Sequence, residues 1–314
     1  MATLRTIRLR IKGTKNIKQI TRAMEAVSAV KMRKSQQVAL TARPYATAAL
    51  SLLKHLHAAA PETVKAFAPL LTVREVKNTL LIVVTSDKGL AGPFNTNVLK
   101  KAEAFIKSSA IPVSLITVGK KGTEYFTRRG RIPLASWTGY GDYADIREVE
   151  PLFSAITDAF MSGTADDAHI TYTNFLSAMK QEVVMRKLLP FSEEGLQEMV
   201  KGIVPKRGRF AEHNANVRME DSNDANKIGE FLFEPTPQQI FTELLPALLR
   251  IEIYHSILEA NASEHSSRMV AMRNATDNAG ELIKSYTVSL NKARQAAINK
   301  ELAEITGGSE ALNS

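Results

Sequence analysis

Residues 262–282 read ASEHSSRMVAMRNATDNAGEL. The stretch has no proline and one glycine, Gly280, so nothing in it interrupts a helix. Yet it holds only four large apolar side chains: Met269, Val270, Met272 and Leu282. An ordinary surface helix buries a broader apolar stripe than that. The order in this stretch is heptad order. Ala262, Met269, Thr276, Ile283, Leu290 and Ala297 stand seven apart. His265, Met272, Ala279, Tyr286, Ala293 and Lys300 form a second series, offset by three. Two interleaved series sustained over five heptads predict a coiled-coil seam. Its small members, Ala262, Ala279, Ala293 and Ala297, let a partner helix approach closely. Its flanks are polar but nearly neutral, whereas a solvated stalk carries many Glu/Lys pairs. Residues 247–306 contain no proline, and one continuous helix there would be about 90 Å long.

The partner for this seam lies at the other end of the chain. Residues 3–59 contain one glycine, Gly13, and one proline, Pro44. Apolar residues recur at Leu4, Ile7 and Ile11, then at Ile17, Ile20, Met24 and Val27. These are helical spacings with one slip near Gly13, which places Ile20 and Val27 on the seam. Pro44 could kink the helix. Between the two ends the texture changes. TLLIVVT (79–85), IPVSLITVG (111–119) and HITYTNF (169–175) read as strands, and QEVVMRKLLP (181–190) as a hairpin partner of the last. Residues 95–108, 120–130 and 147–161 read as helices, the second of them short and ending in a turn. The predicted fold class is α/β: an antiparallel coiled coil of long N- and C-terminal helices plus an inserted Rossmann-like α/β domain. The expected divisions are an N-terminal coiled-coil helix over 1–60 and a globular domain over 75–235 with a polar excursion near 192–229. A C-terminal coiled-coil helix over 236–306 follows, capped by Thr236 with Pro237 in its first turn, and a flexible tail spans 307–314.

Charge is distributed as unevenly as the helices. Residues 1–60 carry twelve Lys/Arg against one acid, Glu25, or +11, which exceeds the +9 of the whole chain. A basic helix of this kind suits nucleic acid, anionic lipid or an acidic protein surface. A single-strand nucleic-acid platform would interleave aromatics with the bases, and the first segment has only Tyr45. No run approaches the length of a membrane-spanning helix. The opening residues show no secretory leader pattern. There is no cysteine, which excludes disulfides and thiol redox control.

No motif carries catalytic chemistry. TSDKGLAGPFNTN (85–97) sits between a strand and a helix, where a phosphate loop would sit. It lacks GxxxxGK[ST] and GxGxxG, so it reads as an ordinary strand–helix turn or a protein-contact loop. The six histidines form no HExxH or HxxxH pair, and no metal or cofactor is expected. No GxSxG element is present.

At these residues the chain resembles the gamma subunits of rotary F-type ATP synthases. The resemblance rests on IRLRIKGTKNIKQITRAMEAVSAVKMRKSQ (7–36) and ARPYA (42–46) at one end. At the other it rests on EANASEHSSRMVAMRNATDNAGELI (259–283) and NKARQAAINKELAEI (291–305). TSDKGLAG (85–92) and FLFEPTP (231–237) are internal landmarks, and only 195–228 fits no family pattern. The resemblance implies a rotor shaft, itself non-catalytic, turning inside a head of alpha and beta subunits during ATP synthesis or hydrolysis. The implied partners also include the epsilon subunit and a membrane ring of c subunits, with no direct nucleic acid or small-molecule substrate. The implied location is peripheral, at the cytoplasmic face of a bacterial membrane. The implied rotor–stator contacts are Met24, Lys31, Arg33, Lys34, Lys88, Arg268, Arg294 and Gln295, with Leu302 and Ile305 in an apolar collar. The seam itself is expected at Ile20, Val27, Met269, Met272, Ile283, Tyr286 and Leu290.

Overall fold

The computed structural model describes residues 4–41, 69–141, 145–191 and 236–313. Five strands form one sheet: β1 (Thr79–Val84), β2 (Val113–Val118), β3 (Ala135–Trp137), β4 (Asp167–Ser177) and β5 (Lys180–Leu189). Every residue of β1 is buried. Burial on both faces explains why its sequence is an unbroken apolar run rather than an alternating one. The strand order is β3-β2-β1-β4-β5. The first four are parallel, with Thr79 opposite both Val113 and Asp167, and β5 returns antiparallel to β4. β3 has no counterpart among the sequence-predicted strands. It is three residues long, and Pro133–Trp137 contains no β-branched residue, so neither propensity nor period marks it.

Among the described residues five α-helices accompany the sheet: α1 (Leu4–Thr41), α2 (Phe94–Ser108), α3 (Lys120–Thr127), α4 (Glu150–Met161) and α5 (Pro237–Asn313). Leu81 and Val83 pack on one face with Val98, Leu99, Ala102 and Ile106 of α2 and Phe126 of α3. Leu80, Ile82 and Val84 pack on the other with Leu152, Ile156 and Phe160 of α4 and Leu245, Leu248, Leu249, Ile253 and Ile257 of α5. The domain is therefore a three-layer sandwich. Each fully buried Leu or Ile in it contributes roughly 1.5–3 kcal/mol. The Thr236 hydroxyl accepts from the Gln239 N–H at 3.3 Å, capping α5 as its sequence predicts. The helix then runs through Asn313, so residues 307–313, expected as a flexible tail, are helical. The expected kink at Pro44 and the polar excursion of 192–229 lie outside the described residues.

The chain divides into two compact units, 1–29 with 268–314, and 30–267. Both boundaries fall inside the long helices, because the first part of α5 belongs to the sheet core. There its polar residues are pinned to the β4–β5 hairpin. The Ser263 hydroxyl donates to Thr173 O at 3.0 Å, and the Ser266 hydroxyl to Ala178 O at 2.6 Å. Gln181 Nε2 donates to Ser266 Oγ at 3.1 Å.

One acid in this interface is buried without an ion pair shorter than 4 Å. Glu252 of α5 is fully enclosed, and burial pushes its carboxyl up to about 8, restrained only by the Arg186 guanidinium of β5. Arg186 itself lies over the Tyr172 ring of β4, 5.4 Å from its centroid. His255 and Glu259 share the helix, with Nδ1 and Oε1 3.7 Å apart. The folded state thus keeps a proton that the unfolded chain releases near pH 4.5. The contribution of Glu252 to stability is therefore greatest below that value, falls as pH rises towards about 8, and then levels off. Glu252→Gln should flatten this loss: thermal unfolding of the variant should change less between pH 5 and pH 9 than that of the parent chain. A second prediction concerns the turn after β2. Gly119 has φ +94°, and an added Cβ would lie 2.1 Å from Thr85 O. Gly119→Ala should cost several kcal/mol in denaturant unfolding, on the order of the larger backbone-strain and overpacking effects.

Candidate functional site

Two features present residues outward: the paired helices of the first unit and the loop after β1. In α1, half-buried Thr6, Met24 and Ala29 flank a regularly spaced series of buried or half-buried positions: Leu4, Ile7, Ile11, Thr14, Lys18, Thr21, Glu25 and Ser28. These form an unbroken heptad, with no slip at Gly13. The same spacing continues to the buried Met32 and Ser35. On α5 beyond Arg268, half-buried Val270, Ala271, Ala275 and Gly280 flank the covered heptad positions Met269, Met272, Thr276, Ala279, Ile283, Tyr286, Leu290, Ala293 and Ala297. Met272, Thr276 and Ala279 are buried, and Met269, Ile283, Tyr286 and Leu290 are half-buried.

The register is fixed by a hydrogen bond between the buried hydroxyls of Thr21 and Thr276, 2.7 Å apart. Thr276 can also donate to Met272 O at 2.8 Å, and Thr21 to Lys18 O at 3.1 Å. Each hydroxyl has one proton. One threonine therefore donates across the seam while the other donates back to its own helix. A Cβ on Gly280 would lie 3.2 Å from Lys18 Nζ, so the lysine crosses the partner helix where that helix is bare. Antiparallel pairing about Thr21 and Thr276 sets Thr14 level with Ile283, and Ile7 level with Leu290.

This register corrects the expected seam on α1. Ile20 and Val27 are 60% and 55% exposed, and Thr21 and Ser28, one position further on, are buried in their place. The partner helix keeps a strict heptad, so α1 cannot shift register at Gly13 to follow its own apolar residues. Continuing the Leu4–Ile7–Ile11 spacing without a slip would have identified the seam positions. Ile17 and Val30 join Ile20 and Val27 on the exposed surface. Met24 is half-buried beside the seam. Arg33 and Lys34 are exposed and Lys31 is half-buried, while Arg294 and Gln295 are exposed on α5. Leu302 and Ile305 are 56% and 69% exposed. Arg268 differs from the reading that turns it towards other subunits: it is buried, at 7% exposure, and engaged with its own chain.

The loop after β1 is held from within. Ser86 N–H donates to Asn95 Oδ1 at 2.9 Å, and Asn95 Nδ2 donates to Ser86 Oγ at 2.7 Å. Thr85 Oγ1 accepts from Gly122 N–H at 2.8 Å. Asp87 accepts from Lys120 N–H at 2.8 Å and Gly139 N–H at 2.7 Å. Thr85, Ser86 and the Asp87 carboxylate are thus engaged in joining β1 to α2, α3 and the turn after β3. What the loop offers outward is Lys88 and Leu90. Leu90 has φ +64°, the left-handed region unfavourable to a branched side chain, and is 64% exposed. No sequence signal singles out this strained leucine. Among the described residues no group of three or more His, Asp or Glu could hold a metal ion.

A family model described as ATP synthase matches residues 3–312. Over 312 residues the chain is 38% identical to the ATP synthase gamma chain of Pelotomaculum thermopropionicum, covering 99% of this chain and 100% of that one. It is 37% identical over 319 residues to the ATP synthase gamma chain of Chloroherpeton thalassium, covering 99% of each. Among solved structures it resembles a chain of the Euglena gracilis mitochondrial ATP synthase OSCP/F1/c-ring assembly in rotational state 3. The TM-score is 0.63 at 17% identity, over 98% of this chain and 94% of that one. A chain of the rotor of the same synthase gives a TM-score of 0.58 at 16% identity, over 94% and 98%. With its fold, its seam and its full-length relatives in agreement, the chain belongs to the family of ATP synthase gamma chains.

Proposed function

We propose that the chain is the central rotor shaft of an F-type ATP synthase. It couples ion-driven rotation of a membrane ring of c subunits to conformational change at the catalytic beta subunits. The observation that carries this reading is the thinness of the two-helix seam. In the first unit one stripe of each helix is covered, polar residues fill much of it, and most of the remaining residues are exposed to a surrounding ring. A ligand shifts a conformational equilibrium only by its differential affinity for the states. The shaft acts as such a ligand, presenting a different side to each of three catalytic sites. An ion crossing 100 mV supplies roughly 2.3 kcal/mol per charge, so several crossings must be summed before one ATP is made. Two paired helices that resist twisting store that sum.

In this role the chain is mechanical and contributes no catalytic group. Its basic first segment, with Met24, Lys31, Arg33 and Lys34, meets acidic loops of the beta subunits, and Lys88 makes a second contact of the same kind. The exposed Ile17, Ile20 and Val27 add an apolar component to that surface. Arg294 and Gln295 touch the loops that guide the shaft, and Leu302 and Ile305 run in an apolar collar. The epsilon subunit and the c ring meet the α/β domain. No described helix is long and apolar enough to cross a membrane, and the proposed location is peripheral, on the cytoplasmic face of a bacterial membrane.

The chain has no cysteine, so a single one can be introduced at Met179 in the β4–β5 turn, which is 79% exposed. A bead attached there, on a complex immobilised through its beta subunits, should turn in one direction on addition of ATP. A bead that only fluctuates, on a complex that hydrolyses ATP, would exclude the shaft role. Arg294→Glu should lower the coupling of hydrolysis to ion pumping several-fold and leave helix content unchanged, since Arg294 is exposed. Coupling equal to that of the parent complex would remove Arg294 from the contact set.

A further inference from the structure

The helical layers on the two faces of the sheet differ in charge. From Gly92 to Trp137, the span that holds α2 and α3, the chain carries eight Lys/Arg against two acids, Glu103 and Glu124. From Asp145 to Met161, the span that holds α4, it carries four acids against Arg147 alone. The α2–α3 layer is therefore basic and the α4 layer acidic. Positive charge gathers at one corner, where α2 and α3 end and β3 begins. Glu103 of α2 accepts from the Tyr125 hydroxyl at 2.9 Å and lies 3.8 Å from Lys107 and 3.7 Å from Arg129. The Tyr125 hydrogen bond, followed by the charges of Lys107, Arg129 and Arg131, holds its carboxyl below the usual range. One carboxylate thus answers three bases, and Lys107, Arg128, Arg129 and Arg131 are all exposed.

Two aliphatic side chains stand beside them. Ile132 and Leu134 are 84% and 60% exposed. The register gives the direction of Leu134. Ala135 and Trp137 pair with Ile116 and Val118 and pack with them in the α4 layer. Side chains alternate along a strand, so Leu134 points to the α2–α3 side, where Leu115 also packs. Its N–H is held by Leu115 O at 2.7 Å. Arg131 N–H returns to Phe126 O and Gly130 N–H to Thr127 O, both at 3.0 Å, so a closed turn carries Arg128 and Arg131. The corner therefore offers cations beside exposed aliphatic carbon. A nucleic acid supplies phosphates without an apolar layer, and is usually met by stacking aromatics. Here Tyr125 lies under Arg129, 3.6 Å from its ring centroid. A bilayer of anionic lipid supplies both parts, phosphates at its surface and acyl carbon beneath.

We propose that Lys107, Arg128, Arg129 and Arg131, with Ile132 and Leu134 beside them, form a contact for an anionic lipid surface. The bases bind headgroup phosphates, and the two aliphatic side chains enter the interface. The acidic α4 layer is repelled by the same surface, so the charge asymmetry of the domain orients it. The inference rests on the proposed function only in placing a membrane beside the domain.

The test uses the full chain with Ser136→Cys as its single cysteine, labelled with a polarity-sensitive dye. Ser136 is exposed and lies two residues beyond Leu134. On vesicles of phosphatidylcholine and phosphatidylglycerol in equal parts the dye emission should shift to the blue, and on phosphatidylcholine alone it should not. Added salt should reverse the shift, because screening weakens the attraction. With Arg128→Glu and Arg131→Glu the lipid needed for half the shift should rise at least about tenfold, whereas Arg128→Lys with Arg131→Lys should match the parent. Sedimentation with anionic vesicles and no dye shift would mean binding through the basic first segment. That result would overturn the proposal and leave the corner to an acidic protein surface. A shift that survives charge reversal, or one lost in the lysine variant, would overturn it as well. The sample is the chain alone, so the outcome is separate from bead rotation: absent rotation with an intact shift would remove the shaft role and keep the lipid contact.

Discussion

The structure depends on one helix serving two environments. From Leu245 to Ser266, α5 is buried on nearly every side and supplies Leu248, Leu249, Ile253 and Ile257 to the core of the sheet domain. Beyond Arg268 it is covered along a single stripe. The change is written in composition: branched apolar residues give way to Ala, Thr, Met and Gly at heptad spacing. A helix cannot alter its period at will, so both roles must be met by one continuous phase of 3.5 to 3.6 residues per turn.

The seam then sets its own terms. Hydrophobic burial along it is slight, and its specificity comes from a threonine pair whose hydroxyls satisfy each other at 2.7 Å. A polar group at a coiled-coil core position costs stability and fixes register. That trade suits a shaft that must keep its two helices in step under torque. The apolar residues excluded from the seam, Ile17, Ile20, Val27 and Val30, become surface. In isolation such a stripe is a liability, and in the proposed rotor it would face the surrounding subunits. The loop after β1 shows the same economy. Its polar groups tie three elements together, which leaves a lysine and a strained leucine as its outward face.

Much of this was legible in the residues. Strands β1, β2, β4 and β5 carried β-branched or alternating runs, and the helical spans between them carried helical spacing. The α5 seam positions followed from counting by sevens. The two assignments on α1 failed for a definite reason. Ile20 and Val27 are the strongest apolar signal in their turns, and a pattern reading follows the strongest signal. Burial went to Thr21 and Ser28 because the partner helix, not the local composition, sets which face turns inward. Arg268 was placed among the contacts by its position in the family's motif, yet the fold encloses it. β3 was invisible because it is an edge strand, made by its neighbour β2 rather than by its own propensity.

The sequence alone therefore determined the architecture: two long helices framing a mostly parallel sheet, a basic first segment, and a thin seam on the last helix. Those features are periodic or compositional, and period and composition survive without knowledge of the partner. Tertiary structure decided what depends on pairing. It chose the register of α1 through the Thr21–Thr276 bond, the enclosure of Glu252 and Arg268, and the conformation of Leu90. Each is a property of two surfaces in contact, or of one left uncovered, and no single stretch of sequence contains both.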